Sequence, residues 1–305
     1  MINHLNELTT EMKHSGSANL DQLSTLEIVK LMNEEDKKVA LAVEQTLEQV
    51  AKAVDLIHAA VEKGGRLLYF GAGTSGRLGI LDAAECPPTF GTPPHLVQGV
   101  IAGGPAALIQ AVEGAEDLEE LGKEDVHKYG VSANDAVVGI AASGRTPYVL
   151  GALAEAKARG AATISLSCNP SALIGQAADV AINVVTGPEV VTGSTRLKAG
   201  TAQKMVLNML TTATMIKLGK VYGNLMVNVQ ATNYKLKERV KRIVMEVTGV
   251  SYAEAERLSE AAGGDARVAI IMQKTGASAE EAERLMQQTG GRIRQAIAQF
   301  DNSKE

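Results

Sequence analysis

Tryptophan is absent from this sequence of 305 residues, and aromatic side chains make up only 3% of it. A chain so short of stacking platforms is poorly equipped to bind single-stranded nucleic acid. Cysteine is almost absent too. Cys86 and Cys168 stand far apart in different expected elements, which fits reduced packing residues better than a disulfide framework or a catalytic thiol. The five histidines, His4, His14, His58, His95 and His127, show no metal-ligand spacing, so no metal site is expected. No apolar run approaches the ~18 residues of a membrane span, and Met1 to Gly16 carries no apolar run of signal-peptide length. A cytoplasmic protein without a membrane partner is therefore expected. Positive charge is also in deficit: 30 Lys and Arg against 35 Asp and Glu leave a net charge of -5, which disfavours a polyanion as the main partner.

What remains is an ordinary globular composition, 45% hydrophobic and 21% charged. At roughly 150 residues per domain the length suggests about two folded units. Ser24 and Glu27 stand at capping-box spacing, and from Val39 apolar residues recur at Val43, Leu47, Val50, Val54, Ile57 and Val61, as on one buried helix face. Gly64 and Gly65 stop this helix. Short apolar runs follow at Leu67 to Phe70, Leu96 to Ile101, Ala136 to Ala142, Ala162 to Ser167 and Val180 to Val185. Helical spacing fills Leu78 to Glu85, Ala106 to Tyr129, Pro147 to Arg159 and Ala172 to Ala178 between them. That alternation predicts an α/β fold, a doubly wound parallel sheet of five strands in the order 2-1-3-4-5. Long helices are expected from about Ser194 to Leu218 and Asn228 to Glu246. The tail holds a 27-residue repeat, in which Thr248-Gly249-Val250-Ser251 leading to Gly263-Gly264 returns as Thr275-Gly276-Ala277-Ser278 leading to Gly290-Gly291. Two copies are too few for a solenoid and suit a small helical accessory domain used for packing or interaction. The expected organisation is an N-terminal helical segment over 1–54, the α/β domain over 55–222 and a C-terminal helical domain over 223–305.

Chemistry concentrates in two loops. After the first strand comes Gly71-Ala72-Gly73-Thr74-Ser75-Gly76-Arg77, which satisfies the spacing of dinucleotide-binding loops. A nicotinamide site would also need an acidic residue near the end of the second strand. Cys86 to Val112 contains no Asp or Glu, so this cofactor is not expected. Gly73, Thr74 and Ser75 instead place hydroxyls and free backbone N–H groups at a helix N-terminus, a setting for a phosphate monoester. No Gly-Lys-Ser/Thr follows, which argues against nucleotide triphosphate hydrolysis. After the third strand, Ala142-Ser143-Gly144-Arg145-Thr146-Pro147 repeats the theme, with Pro suited to the first helical position. In the order 2-1-3-4-5 both loops open into one crevice, where Ser143, Gly144 and Thr146 could share a phosphate with Thr74 and Ser75.

Acids follow the first loop. Glu85 stands just before Cys86-Pro87-Pro88, while Glu113, Glu116 and Asp117 surround Gly114. By spacing alone these are solvated caps as readily as catalytic groups. Helix rise puts Glu85 roughly 10 to 15 Å from the first loop's N–H groups, too far for a compact substrate unless the helix starts late or a second subunit contributes.

The two hydroxyl loops on such a sheet resemble the sugar isomerase (SIS) domain. The stretch Gly187-Pro188-Glu189-Val190-Val191-Thr192-Gly193-Ser194-Thr195-Arg196-Leu197-Lys198-Ala199-Gly200-Thr201-Ala202-Gln203-Lys204 resembles the signature shared by N-acetylmuramic acid 6-phosphate etherases and the glucokinase regulatory protein. The likeness extends to Leu8-Thr9-Thr10-Glu11, Gly71 to Pro88, Ala111 to Asp117 and Asn228 to Arg239. It implies cleavage of the D-lactyl ether of N-acetylmuramic acid 6-phosphate, without a cofactor, by loss of the C2 proton, expulsion of lactate from C3 and addition of water. It also implies Glu85 as the acid on the leaving oxygen and Glu116 as the base, or the reverse, with phosphate held by Thr74, Ser75, Ser143 and Thr146. Lys235 could reach the phosphate or belong to a solvated basic face with Lys237, Arg239, Lys241 and Arg242, and nucleic acid is not expected there. Arg196 and Lys198 could hold the lactyl carboxylate or pair with acids. The resemblance further implies a homodimer with sites near the subunit boundary. A non-catalytic sugar-phosphate sensor would be expected to carry two SIS domains, and an aldose-ketose isomerase would release no lactate. A DNA-binding sugar sensor would need a basic helix-turn-helix, unlike the acidic Glu34-Glu35-Asp36 segment.

Overall fold

In the computed structural model, residues 8–110, 112–229 and 234–303 are described. The chain divides into two compact units, one of Met1–Ala84 with Pro94–Thr211 and one of Glu85–Pro93 with Thr212–Glu305. Among the described residues no helix is long and apolar enough to cross a membrane.

The first unit is built on five parallel strands, β1 (Leu67–Gly71), β2 (Val97–Ile101), β3 (Ala136–Ile140), β4 (Ala162–Ser167) and β5 (Val180–Asn183), in the order β2-β1-β3-β4-β5. Every residue of β1 and β3 is buried, as strands covered on both faces must be. Alternate side chains serve opposite faces. Leu68, Phe70 and Val137 join a cluster with Tyr148, Val149 and Leu153 of α5 (Pro147–Ala158), while Tyr69 and Ile140 lie against Gly79 of α3 (Gly73–Phe90). At the foot of the sheet Arg66 grips the buried Asp135, its backbone N–H and its Nη2 donating at 2.8 and 3.0 Å. Burial pushes the Asp135 carboxyl up, but the bonds from Arg66 and from the Ser132 N–H outweigh it and hold the carboxyl below its usual value.

Ser24 caps α1 (Thr25–Glu44) with both halves of the expected capping box, the Ser24 N–H donating to Glu27 at 2.9 Å. The helix expected to run on to Gly64 breaks at Gln45 and Thr46, and α2 (Leu47–Glu62) begins a new axis. Thr46 turns its hydroxyl back onto the Val43 carbonyl at 2.8 Å, and Leu47, on the apolar stripe in sequence, is 45% exposed. The helix expected over Ala106 to Tyr129 is likewise replaced by 3-10 turns at Pro105–Leu108 and Ala115–Asp117, followed by α4 (Glu119–Lys128). Gly114 at φ +75° interrupts it.

After the short α6 (Leu173–Gln176), the Gly187-to-Lys204 stretch delivers α7 (Lys198–Lys217), whose start is fixed by buried charge. Glu189, 1% exposed, accepts the N–H groups of Lys198 and Ala199 at 3.1 and 3.0 Å. The Lys198 ammonium, also buried, meets Glu35 of α1 at 2.6 Å, and Lys38 and His14 bind the other Glu35 oxygen at 2.5 and 3.0 Å. Burial pushes the Glu35 carboxyl up, yet Lys198, Lys38 and His14 together hold it down to about 2. Lys198 therefore has its anion inside the protein, which resolves its open role in favour of an ion pair.

The second unit holds α8 (Tyr234–Thr248), α9 (Tyr252–Ala261), α10 (Ala266–Thr275), α11 (Ala279–Gln288) and α12 (Ile293–Asn302). The repeat becomes two helix pairs, α9 with α10 and α11 with α12. Ser251 and Ser278 cap the first helix of each by accepting the N–H groups of Glu254 and Glu281 at 3.3 and 3.2 Å. Equivalent positions pack alike: Ala255 and Ala282, Leu258 and Leu285, Ala269 and Ala296 are all buried in one cluster.

Candidate active site

β1 and β3 are neighbours, and the helices that follow them leave on opposite faces of the sheet, so a crevice opens beyond their carboxyl ends. Both loops line it. In the first, Gly76 N donates to Ala72 O at 3.2 Å as the first helical bond, so Gly73, Thr74 and Ser75 supply the N–H groups that α3 leaves without helical partners. Only glycine fits at position 76, where a Cβ would meet the Gly71 carbonyl at 2.7 Å and the Ile101 side chain at 2.6 Å.

In the second loop Gly144 holds φ +69° and its missing Cβ would collide with Ala172. Ser143 Oγ accepts the Arg145 N–H at 3.3 Å, and Thr146 precedes Pro147 at the start of α5. Asn169, 1% exposed, braces this loop by donating to the Ala142 and Ser143 carbonyls at 3.1 and 3.2 Å. It also ties in the N-terminal segment, accepting Thr9 Oγ1 at 2.7 Å.

The resulting cleft has a volume of about 390 Å³ and gathers Gly73, Thr74, Ser75, Ser143, Thr146 and Glu116 of the expected site residues. Gly144 lies beneath it, buried. Glu116 is exposed on the Ala115–Asp117 turn, beside Asp117. Glu85 is exposed on α3, belongs to the second unit, and is not among the residues that line the cleft. Lys235 belongs to the second unit, exposed at the second position of α8, where it lines a groove of about 770 Å³ with Arg239 and Arg242. The residues just before it, 230–233, which fall within the Asn228-to-Arg239 resemblance, lie outside the described residues, as does Ala111.

Sequence reasoning passed over four residues at the site. Arg145, whose Nε is buried without a protein partner, is the one cation among the described lining residues. Glu11 lines the opposite rim, Asn169 braces the second loop, and Gln203 of α7 accepts the Ser75 hydroxyl at 3.0 Å. The unusual charge of Arg145 within a Ser-Gly-Arg-Thr run was the available signal, whereas Asn169 and Gln203 act across the fold and leave none. Cys168 is disqualified as a nucleophile: burial, with the Glu189 charge nearby, pushes its thiol up to about 12. Among the described residues no three His, Cys, Asp or Glu side chains are grouped as a metal ion would require.

Two hydroxyl-bearing helix N-termini meeting at a switch point, with a carboxylate across from them, define an SIS-type sugar-phosphate protein. Models of the SIS domain match residues 119–213, and of the glucokinase regulatory protein N-terminal SIS domain residues 49–157. An N-acetylmuramic acid 6-phosphate etherase of Mycolicibacterium smegmatis is 58% identical over 87% of this chain and 89% of its own length. One from Geobacillus sp. is 59% identical over 87% of this chain and 90% of its own. The chain belongs to the N-acetylmuramic acid 6-phosphate etherase family. Among solved structures, a phosphoheptose isomerase of Neisseria gonorrhoeae superposes with a TM-score of 0.49 at 20% identity, over 63% of this chain and 98% of that one.

Proposed function

We propose that the protein cleaves the D-lactyl ether of N-acetylmuramic acid 6-phosphate, giving N-acetylglucosamine 6-phosphate and D-lactate in the recycling of cell-wall sugars, and that it works in the cytoplasm without a cofactor. The convergence of the two hydroxyl loops with Glu116 in one cleft carries this reading. Phosphate is received by the N–H groups of Gly73, Thr74 and Ser75 and by the hydroxyls of Thr74, Ser75, Ser143 and Thr146, while Arg145 offsets its charge. Anchored there, the opened sugar presents C2 to Glu116. That carboxylate takes the C2 proton, which the C1 aldehyde has made acidic, and the resulting electron pair expels lactate from C3. Glu85 protonates the departing ether oxygen, and water then adds to the double bond.

Glu85 is not among the residues that line the cleft. A homodimer in which a second copy brings its Glu85 to the cleft completes the acid and base pair, and Lys235 is assigned to the phosphate. The test is D-lactate release in heavy-oxygen water by wild type, Glu85→Gln and Glu116→Gln. The expected outcome is lactate from wild type alone, with the label at C3 of the sugar. Label in the lactate would refute elimination, and a folded wild type that releases no lactate would overturn the reading.

A further inference from the structure

Gln203 is a buried polar residue at the site that the mechanism above leaves unused. It sits on α7, 1% exposed, behind the first loop rather than in the cleft, and its Oε1 accepts the hydroxyl of Ser75 at 3.0 Å. Its other end, Nε2, is buried with no hydrogen-bond partner. A serine hydroxyl has one proton to give. While that proton goes to Gln203, Ser75 turns only lone pairs toward the cleft, the wrong polarity for a phosphate oxygen.

We propose that Gln203 is a positioning residue that sets the direction of the Ser75 proton, and with it the affinity of the first loop for the substrate's phosphate. The inference rests on the reading of that loop as the phosphate site. A half-turn about the Cγ–Cδ bond exchanges the two ends of the amide, which have nearly the same shape. Nε2 then donates to Ser75 Oγ, and the hydroxyl proton is released to point at the phosphate. The turned amide also satisfies the stranded donor and leaves a carbonyl oxygen in its place, a group that tolerates partial satisfaction better than a buried N–H does. Phosphate can accept from the Ser75 hydroxyl only in the turned arrangement, so its binding selects that arrangement. Gln203 need not touch the substrate to do this.

The experiment compares Gln203→Glu, Gln203→Met and Ser75→Ala, and the doubles of each Gln203 variant with Ser75→Ala. The readouts are KM and kcat for N-acetylmuramic acid 6-phosphate and inhibition by inorganic phosphate, with thermal unfolding to verify that each variant is folded. A carboxylate at 203 can only accept, so it locks the Ser75 proton away from the cleft. Gln203→Glu is expected to raise KM and the phosphate inhibition constant about tenfold, the worth of one charge-assisted hydrogen bond, with kcat within about threefold. Methionine, of similar length, neither holds the proton away nor helps to aim it, and Gln203→Met is expected to raise KM and the phosphate inhibition constant about threefold, less than the glutamate variant does. Ser75→Ala is expected to cost about tenfold, and adding Gln203→Glu to it should cost nothing more.

A methionine variant as impaired as the glutamate variant would overturn the proposal, because a merely structural amide loses more with Met than with Glu. A Gln203→Glu effect that persists on top of Ser75→Ala would also overturn it, by showing direct repulsion of the phosphate. Should the buried carboxylate prevent folding, the methionine variant decides alone, and a tenfold rise in its KM sinks the idea. If Ser75→Ala by itself changes neither constant, the phosphate reading of the first loop has failed and the inference falls with it.

Discussion

Replacing Lys198 by Met removes a buried cation and leaves its anion behind. The Lys198 ammonium is 2% exposed and 2.6 Å from a Glu35 carboxylate that is itself 7% exposed. Breaking a buried pair from one side costs about 3–5 kcal/mol, because the remaining charge keeps its desolvation and loses its partner. Lys38 and His14 still hold the other Glu35 oxygen, so the lower end applies, about 3 kcal/mol. In a unit of roughly 200 residues that lowers the thermal midpoint by about 6 to 12 °C. Differential scanning calorimetry of Lys198→Met, Glu35→Gln and the double variant reads this directly. The double variant buries no uncompensated charge and should recover to within about 1 kcal/mol of wild type. Losses of the two single variants that simply add, or a single-variant loss below about 1 kcal/mol, would refute the ion-pair account. Kinetics provide the second arm: KM should stay within about threefold of wild type, because Lys198 does not line the cleft. A tenfold rise in KM without loss of stability would return Lys198 to the substrate.

The same cluster sets part of the acid limb. Glu35 is held down to about 2 from an ordinary 4.5, so its contribution is whole above about pH 4.5 and is lost as pH falls toward 2. Its full size is on the order of 3 kcal/mol, and acid unfolding of Glu35→Gln should lack that share of the decline. Gly144→Ala places a Cβ at φ +69° and against Ala172, and is expected to cost about 2 kcal/mol or more and to raise KM, since the second loop's donors move with it; an unchanged midpoint and KM would contradict the geometry. Cys168, with its thiol pushed up to about 12, should resist alkylation at pH 8 in the native state and react once unfolded; rapid native labelling at that residue would show the pocket around it to be open. Ser278→Ala removes the cap of α11 and should cost about 1 kcal/mol in calorimetry, and a loss indistinguishable from zero would show that the cap adds nothing.

β1 and β3 were readable because burial on both faces makes each a continuous apolar run, whereas β4 alternates Ile164 and Leu166 with the buried hydroxyls of Thr163, Ser165 and Ser167; the expected Leu67 to Phe70 and Ala162 to Ser167 fall within a residue of the observed elements. The two loops were readable because a turn at the end of a strand that must also present hydroxyls leaves a Gly, Ser and Thr cluster in sequence. Helix ends were harder. Nothing in the 3.6-residue pattern marks the break at Thr46, which a single hydroxyl bond to Val43 defines, and α3 runs on through Pro87 and Pro88 where sequence suggested a stop near Glu85. The pairing of Lys198 with Glu35 joins residues 163 positions apart, and that of Ser75 with Gln203 joins residues 128 apart. Periodicity is blind to both, since each is decided by how α1 and α7 come to lie beside the sheet.

Glu189 occupies, from inside the fold, a helix end of the kind that attracts anions. Three helices begin near the crevice: α3 and α5 start at its two loops, and α7 starts where a Cβ added at Gly200 would stand 3.5 Å from the Thr74 methyl. All three ends attract anions, yet the N–H groups at the head of α7 already hold the Glu189 carboxylate. An anion entering the crevice therefore meets a head of α7 whose first N–H groups are already engaged from within the fold. The protein supplies that helix end with a buried carboxylate of its own, so the dipole of α7 is answered internally rather than by solvent or a ligand.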